Sequence, residues 1–111
     1  MRYSLLIIAA LFTLTCSAQL EKKLAEEAGE HYAAGEYAKA DSLYNLSLSQ
    51  NPEWLEATFN KGDALYRGGD FDGAAEQFTK IASKAQDKEL KSEAYHNLGN
   101  THMSKQEFDK A

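Results

Sequence analysis

Gly35-Glu36-Tyr37-Ala38-Lys39-Ala40, Gly69-Asp70-Phe71-Asp72-Gly73-Ala74 and Gln106-Glu107-Phe108-Asp109-Lys110-Ala111 are three renderings of one hexapeptide. Each has a small or polar residue, an acid, an aromatic, two variable residues and an alanine. The first two aromatics stand 34 residues apart and the last two 37. Self-similarity at a fixed period of this length means a stacked array of supersecondary units, each burying its apolar face only against its neighbours.

What surrounds the hexapeptides says which unit it is. Nine residues ahead of the aromatics lie Ala28, Gly62 and Gly99, small residues that let two helices approach closely. Downstream of Ala40 come Tyr44 and Ser47, and downstream of Ala74 come Phe78 and Ile81. Spacings of four and seven place these on one helical stripe. Val is absent, Ala, Leu, Glu and Lys dominate, and the single proline, Pro52, follows Asn51 where the first unit should close. The pattern predicts helices near 20–34, 37–50, 54–67, 71–85 and 89–105, with turns at Gly35, Gly68-Gly69 and Lys105-Gln106.

The segments Gly62…Leu65-Tyr66…Gly69-Asp70-Phe71…Ala74…Phe78 and Tyr95-His96-Asn97-Leu98-Gly99-Asn100 resemble the tetratricopeptide repeat, over roughly residues 21–111. The resemblance implies an all-α fold, a right-handed superhelical solenoid of antiparallel helix pairs. It divides the chain into a first repeat over 19–53, a second over 54–88 and an incomplete third over 89–111. Two departures stand out. Glu27 and Lys61 occupy a position where the repeat usually has Leu, and as equivalent residues of adjacent units they could pair. The second unit lacks a closing proline and carries three extra residues around Ala85 to Ser92, so its second helix or the following turn should be longer. Because the third hexapeptide ends at Ala111, the third unit reads as truncated, leaving Phe108 and Ala111 without a partner helix and the chain as the N-terminal part of a longer protein.

The first eighteen residues follow another logic. Arg2 supplies a positive charge, Leu5 to Leu14 form an apolar run broken only by Thr13, and Cys16-Ser17-Ala18 puts small residues before Gln19. This is the build of a secretory signal peptide cleaved after Ala18, with an apolar core short of the ~20 residues that span a bilayer. Lipidation of Cys16 and retention of the segment as an anchor are the alternatives; Thr13-Leu14-Thr15 fits a lipobox poorly. The leader places the protein outside the cytoplasm, in the periplasm or on the periplasmic face of a bacterial membrane.

Composition narrows the chemistry. The whole chain carries a net charge of −5, and removing Arg2 with the leader makes it −6, which repels nucleic acid and anionic membrane surfaces. Cleavage also removes Cys16, the only cysteine, leaving no disulfide and no thiol nucleophile. His31 and His102 share the repeat position of Leu65, which favours packing over catalysis, and His96 and His102 are six apart, on different helix faces. There is no Gly-x-Ser-x-Gly elbow, and Gly68-Gly69 is too short to cradle a phosphate. No catalytic constellation, metal site, cofactor or small-molecule substrate is expected.

Function in the family lies on the concave face lined by the first helix of each pair. By repeat position, the resemblance implies a groove of Tyr32 from the first unit and Glu56, Phe59, Asp63, Tyr66 and Arg67 from the second. The third contributes Glu93, His96, Asn100 and Met103. Exposed aromatic and thioether side chains suit capture of a peptide or helix of another protein. Tyr32 could equally pack between first helices, and the same alternative applies less strongly to Phe59 and Tyr66. The carboxylate clamp of chaperone-tail-binding members does not carry over: Ala25, Gly29, Asn60, Glu93 and Asn97 hold its positions, and Glu93 would repel a carboxylate. The Ala18-Gln19 ending and the stretch from Tyr95 to Ala111 look like the exported tetratricopeptide members of the bacterial Bat aerotolerance group, whose neighbours are membrane proteins with von Willebrand A domains. The expected function is an exported, non-enzymatic scaffold that binds an envelope protein. The alternatives are an outer-membrane assembly or lipoprotein adaptor, and the repeat part of a larger enzyme.

Overall fold

The computed structural model describes residues 2–110; Met1 and Ala111 lie outside them, as do the side chains of Arg2, Phe12, Thr13, Leu14, Thr15 and Ser17. Among the described residues the chain is five helices: α1 (Arg2–Ala33), α2 (Tyr37–Gln50), α3 (Leu55–Arg67), α4 (Phe71–Lys84) and α5 (Lys88–Lys110). Each packs on its neighbours in the chain, giving the all-α stack of helix hairpins that the repeat implies.

The two inner turns are built alike, which is why the hexapeptide recurs. Gly35 and Gly69 take φ of +78° and +87°, a conformation that costs a residue with a Cβ. At the first turn Glu36 N–H donates to His31 O at 2.8 Å and Gly35 N–H to Tyr32 O at 3.0 Å. At the second, Asp70 N–H donates to Leu65 O at 2.9 Å and Gly69 N–H to Tyr66 O at 3.1 Å. Both are Schellman endings, satisfying the last carbonyls of one helix while reversing the chain. Asp70 then starts α4, its Oδ1 accepting from Gly73 N–H at 2.9 Å.

The apolar stripes bury as the spacing requires. Ala40, Tyr44 and Ser47 of α2 are buried, and so are Ala74, Phe78 and Ile81 of α4 at the same three positions. Ala28 and Gly62 are buried at their matching sites, and Phe78 lies so close to Gly62 that a Cβ there would sit 2.8 Å from its ring. Phe78, Ile81 and Ala94 form one core with Leu90 and Leu98 packed on it; Ala28, Ala40, Tyr44 and Ala64 form the other.

Three expectations are corrected. The turn at Lys105-Gln106 is absent and α5 runs on to Lys110. Gln106 stands where the other units have glycine, and the helix gains contacts without reversing: Lys105 Nζ reaches Asp72 Oδ1 at 2.7 Å, and the Phe108 ring meets Phe71 edge-on at 6.1 Å. Phe108 therefore has an aromatic partner, although it remains 70% exposed. The second unit's extra residues lengthen neither α4, which has 14 residues like α2, nor the connection; they add a turn to the start of α5. There the Asp87 carboxylate accepts from Glu89 N–H at 3.0 Å and starts the helix early. Finally, Glu27 and Lys61 form no ion pair within 4 Å among the described residues. The charge of Lys61 acts instead on Asp41 of α2, whose carboxyl is pushed up by burial and partly restored by that lysine.

Residues 2–18 belong to α1 but not to the stack. Tyr3, Leu5, Leu6, Ile7, Ile8 and Leu11 are all exposed, whereas Ser47 at the end of α2 donates to Glu21 O at 2.7 Å. No helix of the described residues is long and apolar enough to cross a membrane.

Candidate functional site

The first helices of the three units, α1, α3 and α5, meet around a hollow of about 190 Å³. Tyr32 enters from α1, Asp63, Tyr66 and Arg67 from α3, Asn97 and Asn100 from α5, and Phe78 of α4 forms part of the lining. Five of the ten residues expected in the groove therefore converge on one place: Tyr32, Asp63, Tyr66, Arg67 and Asn100.

The walls are held firmly. Tyr32 meets Tyr37 edge-on at 5.5 Å, so it packs and lines the hollow at once. Tyr66 meets Phe71 edge-on at 5.6 Å, and its hydroxyl shares a 2.7 Å hydrogen bond with Ser104 Oγ, tying α3 to α5. Asn100 lies 3.3 Å from His96 Nε2 through its side-chain amide, one turn along α5.

The other expected residues are placed differently. Phe59 is half-buried and meets Phe78 edge-on at 5.6 Å, as part of the α4–α5 core. Phe59 and Tyr66 thus both pack within the fold, and Tyr66 lines the hollow as well. Glu56 lines a second hollow of about 300 Å³ with Lys22, Ala25, Glu26, Trp54, Ala57 and Asn60. Glu93, His96 and Met103 are exposed on α5 but do not line the first hollow. Asn97 does, and its spacing of three from Asn100 could have revealed it, since residues three apart share a helix face.

Asp63 is the chemically unusual member. Its carboxyl is pushed up to about 6 from 3.8 because burial disfavours the charge, with Arg67 pulling the other way. Among the described residues no ion pair within 4 Å reaches it. The groups facing it are Tyr32 of α1, Tyr44 of α2 and Arg67 on its own helix. Arg67 stands beside Tyr32, whose hydroxyl favours the charged guanidinium. No group of three or more His, Cys, Asp or Glu able to hold a metal occurs among the described residues.

The raised carboxyl sets a pH dependence. The folded chain holds this proton more tightly than the unfolded chain, so the stabilisation is complete below about pH 4 and is lost as the pH rises through about 6. A pKa raised from 3.8 to about 6 corresponds to ~3 kcal/mol at 1.36 kcal/mol per pKa unit, and solvent access to the hollow cuts this to about 1. Asp63→Asn should therefore be about 1 kcal/mol more stable than the parent at pH 7.5 and no more stable at pH 4, read by urea denaturation at both.

The tetratricopeptide repeat sequence profile matches residues 25–89, more than half of the chain and all of α2, α3 and α4. No curated protein and no solved structure matches the chain. Paired Schellman turns, matching buried stripes and a hollow shared by the first helices agree with the profile, and the chain belongs to the tetratricopeptide repeat family.

Proposed function

We propose that the protein is an exported scaffold that holds a segment of an envelope protein against the first helices of its repeats. Repeats of this family generally mediate protein–protein interaction. The observation that carries the reading here is the hollow: side chains from three separate units converge on one opening, with two carboxamides, two phenols and both signs of charge. Such a set can meet a peptide backbone and its side chains together. The exported setting rests on the leader, whose described apolar residues stand clear of the stack while packing begins near Glu21. Cleavage after Ala18 would leave both cores whole, and an aerotolerance-type complex is the setting that the sequence resemblance favours.

Capture from envelope extracts tests the binding half. Asn97→Ala combined with Asn100→Ala should weaken retention of the partner at least tenfold, above the ~1 kcal/mol expected of a contributing interface pair. Retention equal to that of the parent chain would refute it. Mass spectrometry of the protein from its native envelope tests the export half: a chain starting at Gln19 is expected, and an acylated Cys16 at the N-terminus would favour the lipoprotein adaptor.

A further inference from the structure

We propose that the hollow takes the side chain of a lysine or arginine from an extended basic segment of the partner, seating its charge on the Asp63 carboxylate beside the Tyr32 and Tyr66 rings. This rests on reading the first-helix face as the partner site and adds the chemistry of what enters it.

Asp63 is an acid in a half-buried position, lined by Tyr32, Tyr66 and Phe78, with no ion pair to satisfy it among the described residues. Withdrawing a carboxylate from water without a partner is costly, and a cation arriving in the hollow removes that cost. Burial already pushes its proton affinity up, and pairing would reverse the direction. The flanking phenols add to the attraction, because a cation near an aromatic face is drawn to the ring's quadrupole. Asn97 and Asn100 on the opposite helix can donate to and accept from the segment's backbone.

Arg67 raises the opposite possibility, an anionic ligand. It is exposed at the rim, while Asp63 is the group withdrawn into the hollow, so an anion entering there would meet a like charge in low dielectric. The chain's net charge of −5 steers cations in the same sense.

The probe is the peptide acetyl-Gly-Gly-Lys-Gly-Gly-amide, compared with versions carrying arginine, norleucine or glutamate at the centre. Binding to the full chain is followed by nitrogen-15 NMR at pH 7.5. The lysine and arginine peptides should shift the Asn97 and Asn100 side-chain amides and bind at least tenfold more tightly than the norleucine peptide. Glutamate should bind worst. In Asp63→Asn, whose spectrum also reports that it is folded, the advantage of lysine over norleucine should fall to within twofold. Arg67→Gln should tighten the lysine peptide about threefold by removing the competing cation. Equal binding of lysine and norleucine peptides, an advantage that survives Asp63→Asn, or shifts confined to the hollow around Trp54 would each overturn the proposal. If Asn97→Ala with Asn100→Ala weakens envelope capture but Asp63→Asn does not, charge recognition fails and the first-helix face stands as the partner site. Lysine-dependent peptide binding with capture indifferent to both the asparagines and Asp63→Asn would place the partner elsewhere and overturn both readings.

Discussion

Phe78→Ala is expected to cost about 3–5 kcal/mol of folding free energy, the range for truncating a buried aromatic. The ring is 1% exposed and belongs to three parts of the structure at once. It meets Phe59 edge-on, fills the space over Gly62 and forms one wall of the hollow. Its removal leaves a cavity beside Gly62 and Phe59, between α3 and α4. A domain of this size has only about 5–15 kcal/mol to lose, so the midpoint in urea should fall by about a fifth or more. A loss below 1 kcal/mol would mean that this core is not packed as described.

The next largest effect is a contrast between two glycines at one repeat position. At Gly62 a Cβ would lie 2.8 Å from Phe78 Cε1 and 3.0 Å from Cζ, and the buried ring has little room to give way. Overpacking costs about 1–3 kcal/mol, which exceeds the ~0.8–1 kcal/mol that alanine gains in helix propensity. Gly62→Ala should therefore destabilise by about 1 kcal/mol, and Gly62→Val by about 3, because branching adds bulk and forfeits the propensity gain. Nothing lies within 4 Å of a Cβ at Gly99, so Gly99→Ala should stabilise by about 0.8–1 kcal/mol. Chemical denaturation of the three variants reads the signs directly. Stabilisation by both alanines would show that the position is governed by helix propensity alone.

That contrast also marks how far the sequence could be read. The glycines of the two inner turns were legible because positive φ is a local demand, and the hexapeptide encodes it with the acid that follows. The buried stripes of α2 and α4 were legible because helical spacing fixes which residues share a face. The continuation of α5 was not, since it depends on Lys105 and Phe108 finding Asp72 and Phe71 more than thirty residues earlier. In the candidate site, repeat position placed Tyr32, Asp63, Tyr66, Arg67 and Asn100 on the face that lines the hollow. It could not separate Phe59 from them, because what turns that ring into packing is Phe78 on the next helix. Nor could it show that Asp63 lies beneath its neighbours, which is a property of three helices together.

The central claim is that partners bind on the face shared by α1, α3 and α5, and site-specific photocrosslinking tests it most directly. A photoreactive side chain is placed at Asn100, beside the hollow, or at Lys80, exposed on α4 and outside it. After irradiation in native envelopes, position 100 should give one dominant protein adduct that a lysine-rich competitor peptide suppresses, and position 80 should give none. Adducts of equal yield at position 80, or their absence at position 100 while the partner is still captured, would contradict the account.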